Sequence, residues 1–191
     1  AGFGGGFVGV DVFFVISGYL ITSILLAEHE AGTFSMVSFW ERRARRILPA
    51  LFLVMFVCLP AAWLWLLPPG LLEFGKSLVA VSLYSSNLLF WQTSDYFAAA
   101  AELNPLLHTW SLSVEEQYYL LFPPFLLLAW RWGRGVAAGL IAAGAALSFV
   151  VAEWWLRADV AAAYFLLPAR GWELGVGALL AFHLSAPARR V

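Results

Sequence analysis

Long apolar stretches recur along this chain and restrict its fold more strongly than any other feature. Several of them are about 17–21 residues long, the length that a helix needs to cross the ~30 Å hydrocarbon core of a bilayer. The composition agrees, because 62% of the 191 residues are hydrophobic and only 12% are charged, against about 45–50% and about 25% in soluble domains. The sequence therefore predicts an all-α polytopic membrane protein, a transmembrane helical bundle.

Charge and cysteine content exclude several other classes. The net charge of −1 leaves no basic excess to meet a phosphate backbone, so nucleic acid is excluded as a partner. The single cysteine, Cys58, lies inside an apolar run and is interpreted as a packing residue. No metal-ligand spacing, Gly-rich phosphate loop or nucleophile elbow is found, so we expect neither a metal site nor a bound cofactor.

Hydropathy predicts about five to six membrane spans. Residues 71–91 form the weakest candidate, because glutamate, lysine, serine and asparagine interrupt them, and such a segment lines a cavity or crosses incompletely. A Gly/Ala-rich candidate is expected to pack inside the bundle, since small residues let helices approach closely. This candidate is residues 136–152, and the others are residues 7–26, 47–67, 110–130 and 168–184.

Arginines between the spans predict the orientation. Positive residues in short loops stay on the cytoplasmic side, so the polar stretch 28–46 makes the first span run inward and the second outward. If residues 71–91 cross fully, residues 110–130 must run outward, yet the arginines at 131 and 134 put their end inside. Either residues 71–91 are re-entrant, or the loop 92–108 contains a further crossing.

Charged residues within the predicted spans are the first candidates for a functional site. A charge at membrane depth costs about 2.5–3.5 kcal/mol, so it usually faces a cavity or a partner. Glu115 and Glu116 point about 100° apart on a helix, so one can face a cavity and the other a different neighbour. Alternatively, they form a helix-end pair in the headgroup region. Asp11 is either functional or interfacial, and Arg170 and Glu173 either serve a site or simply pair with each other.

Four arginines directly before the second long apolar run form the second group of candidates. Their planar guanidinium groups suit bidentate contacts with phosphates, so an anionic ligand arriving from the cytoplasm is a natural partner. The alternative is topological, because arginines also anchor the cytoplasmic end of a span and contact anionic lipids. These residues are Arg42, Arg43, Arg45 and Arg46. Among the histidines, His108 is the acid–base candidate, because it lies near Trp110 and the two glutamates.

Four sequence blocks resemble the bacterial membrane acyltransferases of the acyltransferase 3 family, and they occur in the family's order. They are GGFVGVDVFFVISGYLIT at residues 5–22, FWERRARRILPAL at 39–51, PLLHTWSLSVEEQYYLLFP at 105–123 and LPARGWELGVGALLA at 167–181. The resemblance implies a multi-span bacterial inner-membrane enzyme. It would move an acyl group, often acetyl, from acyl-CoA to a hydroxyl of an extracytoplasmic or lipid-linked glycan.

The resemblance also assigns roles to individual residues. The family's Arg-x-x-Arg motif falls on Arg43 and Arg46, which implies contact with the acyl donor, and Arg42 and Arg45 then supply supporting charge. Glu115 is implied as the catalytic glutamate, with the role of orienting a histidine or a cationic neighbour. Other positions match family blocks whose roles are less clear: Asp11, Ser17, Ser111, Ser113, Arg170 and Glu173.

The family's candidate catalytic histidine precedes the Gly-Gly-Phe-Val-Gly block, so we expect it outside this sequence. Residues 1–191 are accordingly expected to be a partial transmembrane acyltransferase domain that lacks the first and last spans and is inactive alone. A path through the bundle would join the donor and acceptor sides, with Ser82, Ser85, Ser86 and Asn87 as candidate lining. The alternative functions are a transporter or flippase of a lipid-linked sugar, which explains the arginines less well, and a structural scaffold, which explains the charged spans worst.

Overall fold

The computed structural model describes residues 8–93 and 104–185. Every regular element in these ranges is a helix, which confirms the all-α prediction. In chain order the helices are α1 (Val8–Glu30), α2 (Met36–Trp65), α3 (Pro68–Ser82), α4 (Ser86–Thr93), α5 (Thr109–Trp130), α6 (Arg134–Ala158), α7 (Val160–Phe165) and α8 (Leu167–Leu184).

Four helical segments in the described ranges are long and apolar enough to cross a bilayer. They are α1, α2, α6 and the α7–α8 segment from residue 160 to 184. The chain is therefore a multi-pass membrane protein. Helix α5 coincides with the predicted span at residues 110–130, but it is not among the four, because polar residues in its first half lower its hydropathy.

The arginines lie inside a helix, contrary to the prediction of a loop that ends at residue 46. Helix α2 begins at Met36, eleven positions before the predicted span at residue 47. The Ser35 side chain caps it by accepting a hydrogen bond from the Ser38 N–H at 3.4 Å. Since no helix breaker separates this cap from the apolar run, the helix continues through the arginines. The connection to α1 is reduced to residues 31–35.

The weak candidate at residues 71–91 is two helices with a turn between them. Helix α3 ends at Ser82, α4 begins at Ser86, and Tyr84 between them has φ of +50°. With a rise of about 1.5 Å per residue, neither helix can cross ~30 Å of hydrocarbon. The break favours the alternative in which this segment does not cross fully. A hidden crossing in the loop 92–108 concerns mainly residues 94–103, which lie outside the described residues.

Helix α6 contradicts both its predicted length and its predicted place inside the bundle. It runs from Arg134 to Ala158, and only Ala137 and Ile141 along it are buried. Its small residues face α8; for example, a Cβ added at Gly175 of α8 would lie 2.9 Å from Ala145 Cβ. The remaining faces expose large apolar side chains such as Leu147 and Trp154.

The chain divides into two compact units. The first consists of the described residues of 1–34 and 117–191, and the second consists of residues 35–116. In the first unit α1 and α8 pack backbone to backbone, because an added Cβ at Gly18 would overlap the Leu174 carbonyl and one at Gly177 would overlap the Val15 carbonyl. In the second unit α2 and α3 pack around a buried apolar cluster that includes Leu51, Phe74 and Leu106.

Candidate functional site

A buried guanidinium and two carboxylates form the centre of the second unit, and we call them the Arg43 cluster. Arg43 Nε and Nη2 donate to Glu116 Oε1 at 3.3 and 3.0 Å. Arg43 Nη2 also lies 3.8 Å from Glu115 Oε1. The side chains are only 17% exposed for Arg43, 7% for Glu115 and 15% for Glu116. Three ionisable groups thus share one largely buried location.

Both glutamates reach the same guanidinium, although adjacent positions on a helix point in different directions. They lie at the start of α5, while Arg43 lies in the second turn of α2. The resemblance favours Glu115, and the structure gives the closer contact to Glu116. Sequence reasoning considered both glutamates as charges in an apolar segment and preferred Glu115 as the site residue.

Tyr84 is a further group beside this cluster that sequence reasoning missed. It lies in the turn between α3 and α4, and it is the one non-glycine residue with positive φ in the part of the chain that the structure describes. That conformation costs an L-residue about 1–2 kcal/mol. Burial raises the pKa of the Tyr84 phenol, the nearby Glu116 raises it further, and Arg43 opposes the shift.

Three buried hydroxyls fix α4 against the start of α5, and we call them the hydroxyl cluster. Ser86 Oγ lies 2.8 Å from Ser113 Oγ, and Thr109 Oγ1 donates to Ser86 Oγ at 3.1 Å. The Ser86 N–H donates to Ser113 Oγ at 3.3 Å, so Ser113 satisfies one of the free N–H groups at the first turn of α4. The cluster thereby holds α5 two positions before Glu115.

The predicted residues Ser111 and His108 lie at the edge of this arrangement. Ser111 Oγ donates to the backbone carbonyl of His108 at 3.2 Å. The His108 residue is exposed in the turn that precedes α5, two helical turns before Glu115. Among the predicted path-lining residues, Ser86 and Asn87 are fully buried, whereas Ser82 is exposed and Ser85 is half-buried.

The other three arginines of the group are exposed on α2. Arg45 pairs with Glu41 one turn earlier, at 2.6 Å between Nη2 and Oε1. Arg42 and Arg46 are four residues apart, which places them on the same face of the helix. The structure therefore separates Arg43, which faces the glutamates, from three arginines at the surface.

The first unit contains a second ionic group, which we call the Arg170 cluster. Arg170 Nη1 donates to Asp11 Oδ1 at 2.8 Å and to Glu173 Oε1 at 2.7 Å. Arg170 Nε donates to the Tyr164 carbonyl at 3.1 Å, and its guanidinium lies over the Tyr164 ring. The pairing of Arg170 with Glu173 agrees with the simpler interpretation of these residues, and Asp11 joins them from α1. Glu173 Oε2 is buried without a hydrogen-bond partner.

Ser17 is buried on α1 beside Gly18, at the close crossing with α8. The structure thus assembles the predicted site residues into two groups in different units. Arg43, Glu115 and Ser113 belong to the second unit, and the Arg170 cluster with Ser17 belongs to the first. The first unit also contains an apolar cavity of about 330 Å³ between α5, α6 and α8, and no charged side chain lines it.

Comparison with known proteins identifies relatives along the whole chain. The model of an acyltransferase domain family, acyltransferase 3, matches residues 2–188. The O-acetyltransferase OatA of Staphylococcus aureus is 36% identical over 186 residues, and the peptidoglycan O-acetyltransferase OatA of Listeria monocytogenes is 36% identical over 185. An uncharacterised protein of Haemophilus influenzae is 37% identical over 181 residues.

The relatives differ in how much of their length is matched. The alignments cover 93% of this chain but only 30% and 29% of the two OatA proteins. For the Haemophilus protein they cover 91% of this chain and 74% of that protein. No solved structure matches the chain.

Proposed function

The chain belongs to the acyltransferase 3 family, and on that premise we propose that the protein transfers an acyl group, acetyl, from acyl-CoA to a hydroxyl of a cell-envelope glycan. The names of the two OatA relatives support an O-acetyl product, and one of them names peptidoglycan as the acceptor. Multiple apolar helices support a membrane location, which we propose is the bacterial inner membrane.

The Arg43 cluster is the observation that carries this proposal. Charges in an apolar chain are expensive and are retained where they serve a partner or a reaction. In the proposed reaction the acceptor hydroxyl oxygen attacks the thioester carbonyl, the carbon–sulfur bond breaks, and the hydroxyl proton passes through a base to the thiolate. Negative charge develops on the carbonyl oxygen during the attack. Fixed charges in a low-dielectric site stabilise that charge, or they orient the side chains that contact the oxygen.

We assign Glu115 the role of orienting the histidine base or a cationic side chain next to it. Its carboxylate is the least exposed of the cluster, and it already lies 3.8 Å from one cation, Arg43 Nη2. The base is a histidine, and the family resemblance implies one that precedes the Gly-Gly-Phe-Val-Gly block. Within the chain His108 is the alternative base. The exposed arginines of α2 are the candidate contacts for the phosphates of the acyl donor on the cytoplasmic side, and the acceptor is on the opposite side.

Glu115→Gln tests this proposal in the full-length protein. Membranes containing the protein would receive acetyl-CoA labelled in the acetyl group, and label in the purified glycan would be counted. We expect Glu115→Gln to lower the rate at least about 10²-fold, since an oriented acid–base step contributes about 10²–10⁴-fold, while the protein remains inserted. The matched control is Glu73→Gln, whose exposed carboxylate pairs with Lys76 on α3. Equal rates for both variants would contradict the role of Glu115.

His108→Ala in the same assay separates the two candidate bases. We expect little change, because His108 is exposed in a turn. Loss of transfer on this substitution would make His108 the base. Movement of a lipid-linked sugar across the membrane without acetyl incorporation would instead support a transporter and would overturn the proposed function.

A further inference from the structure

The two arginines of the Arg-x-x-Arg motif have different surroundings. Arg43 directs Nε and Nη2 at one oxygen of Glu116, with Glu115 3.8 Å from Nη2. Its side chain is only 17% exposed. Two of the three nitrogens of this guanidinium therefore donate within the protein.

The net charge of the Arg43 cluster also argues against a phosphate contact at Arg43. One guanidinium faces two carboxylates, so the ionised cluster carries more negative than positive charge. A diphosphate brought to Arg43 would be repelled by Glu115 and Glu116, since opposite charges stabilise and like charges destabilise at such distances. The phosphate would also have to displace an existing charge-assisted hydrogen bond.

Arg46 lies one turn further along α2 and is exposed. Within residues 8–93 and 104–185, no carboxylate lies within ion-pairing distance of its guanidinium. Arg42, four residues before it, is exposed on the same helix face. The Arg46 side chain can approach an anion without breaking the contact between Arg43 and Glu116.

We infer that the two arginines have separate roles: Arg43 is a positioning residue that fixes the glutamate pair on α5, and only Arg46 of the motif is available to the acyl donor. This inference rests on the proposed function and assigns a structural basis to it. Glu116, bound directly to Arg43, is then a positioning residue as well. The exposed face with Arg42 and Arg46 is the part that recognises phosphate.

A double-mutant cycle in the full-length protein tests the division of roles. The variants are Arg43→Gln, Glu116→Gln, their combination and Arg46→Gln, with Lys76→Gln on the exposed face of α3 as the control. For Arg43→Gln we expect a lower kcat and a KM for acetyl-CoA within about twofold of wild type, and the double variant should be no worse than Arg43→Gln alone. Contacting residues couple by about twofold to about a hundredfold in such cycles.

Arg46→Gln should show the opposite pattern, a KM for acetyl-CoA raised about tenfold and no coupling to Glu116→Gln. The reversed pair, Arg43→Glu with Glu116→Arg, should recover activity relative to either single change. An Arg43→Gln variant that raises KM as Arg46→Gln does, with effects that multiply with those of Glu116→Gln, would overturn the inference.

A second readout is independent of the acyl-transfer chemistry. The same cycle on the melting temperature of the purified full-length protein should show coupling between Arg43 and Glu116 and none between Arg46 and Glu116. If wild type transfers no acetyl group, the proposed function fails, and this thermal cycle still decides whether Arg43 and Glu116 act as a pair. If the melting-temperature losses of Arg43→Gln and Glu116→Gln simply add in the double variant, the pairing is overturned.

Discussion

Two largely buried arginines in this molecule are both neutralised by nearby carboxylates. Arg43 and Arg170 are largely buried, and each faces two carboxylates. An unpaired charge in low dielectric is strongly destabilising, so a retained charge requires a partner. Both carboxylates of the Arg43 cluster and one of the Arg170 cluster come from a helix distant in sequence, which makes each arginine a link between helices as well as a charge.

Removing Arg170 should destabilise the first unit. In Arg170→Gln the Glu173 carboxylate, which is 1% exposed, loses its guanidinium, and an uncompensated buried charge costs about 3–5 kcal/mol. We expect thermal unfolding in detergent at a clearly lower temperature than wild type. The double variant Arg170→Gln with Glu173→Gln should recover part of the loss.

An exposed pair provides the control for this prediction. Arg45 and Glu41 are 79% and 54% exposed, and such pairs contribute only about 0–1 kcal/mol, so Arg45→Gln should leave the unfolding temperature nearly unchanged. Unfolding of the double variant at or below the temperature of Arg170→Gln would contradict the buried-charge explanation.

Glycine positions decide how closely the helices of the first unit approach. At the crossing of α1 and α8 the two backbones touch, so that neither Gly18 nor Gly177 has room for a Cβ. Two other glycines do not contribute to packing in this way: a Cβ at Gly9 on α1 or at Gly139 on α6 would meet no atom within 4 Å. The contrast allows a test in which glycines on α1 and α6 serve as controls.

Gly18→Ala and Gly177→Ala should each destabilise the protein, because a backbone must move to admit the methyl group, and overpacking costs about 1–3 kcal/mol. Gly9→Ala and Gly139→Ala should be neutral or stabilising, since alanine is favoured over glycine in a helix by about 0.5–1 kcal/mol. Differential scanning fluorimetry of the four variants in one detergent gives the comparison. Equal behaviour of all four would show that the α1–α8 crossing is looser than described.

At the scale of the whole molecule, the positions of the helix ends in the first unit agree with the membrane side that the charges in its loops predict. Arg134, at the start of α6, pairs with Glu30 at the end of α1 at 3.0 Å and donates to the Phe182 carbonyl near the end of α8 at 2.9 Å. The ends of α1 and α8 therefore lie together with the start of α6. With α3 and α4 each too short to cross, one crossing by α5 between α2 and α6 would make the crossings alternate in agreement with the arginines.

Cysteine labelling tests this topology. With Cys58 replaced by serine, Ala31→Cys in the α1–α2 connection should be protected from an impermeant thiol reagent in intact cells and labelled after lysis. Leu67→Cys, at a residue 78% exposed beyond the outward end of α2, should be labelled in intact cells. Labelling at residue 31 from outside would reverse the orientation and place the arginines of α2 on the wrong side for a cytoplasmic donor.

Composition and the length of the apolar runs determined the fold class and most spans of this protein, because burying an apolar helix in a bilayer is a local property of about 20 consecutive residues. Residue types likewise marked Arg43, Glu115, Arg170 and Glu173 as expensive charges. Tertiary structure alone decided the partners. Contacts between segments far apart in the chain determine that both glutamates share Arg43 and that Asp11 joins Arg170. They also determine that α3 ends before Tyr84 and that α6 presents only one stripe to α8. Such contacts depend on the distance between packed helices, and a local pattern of residues does not predict that distance.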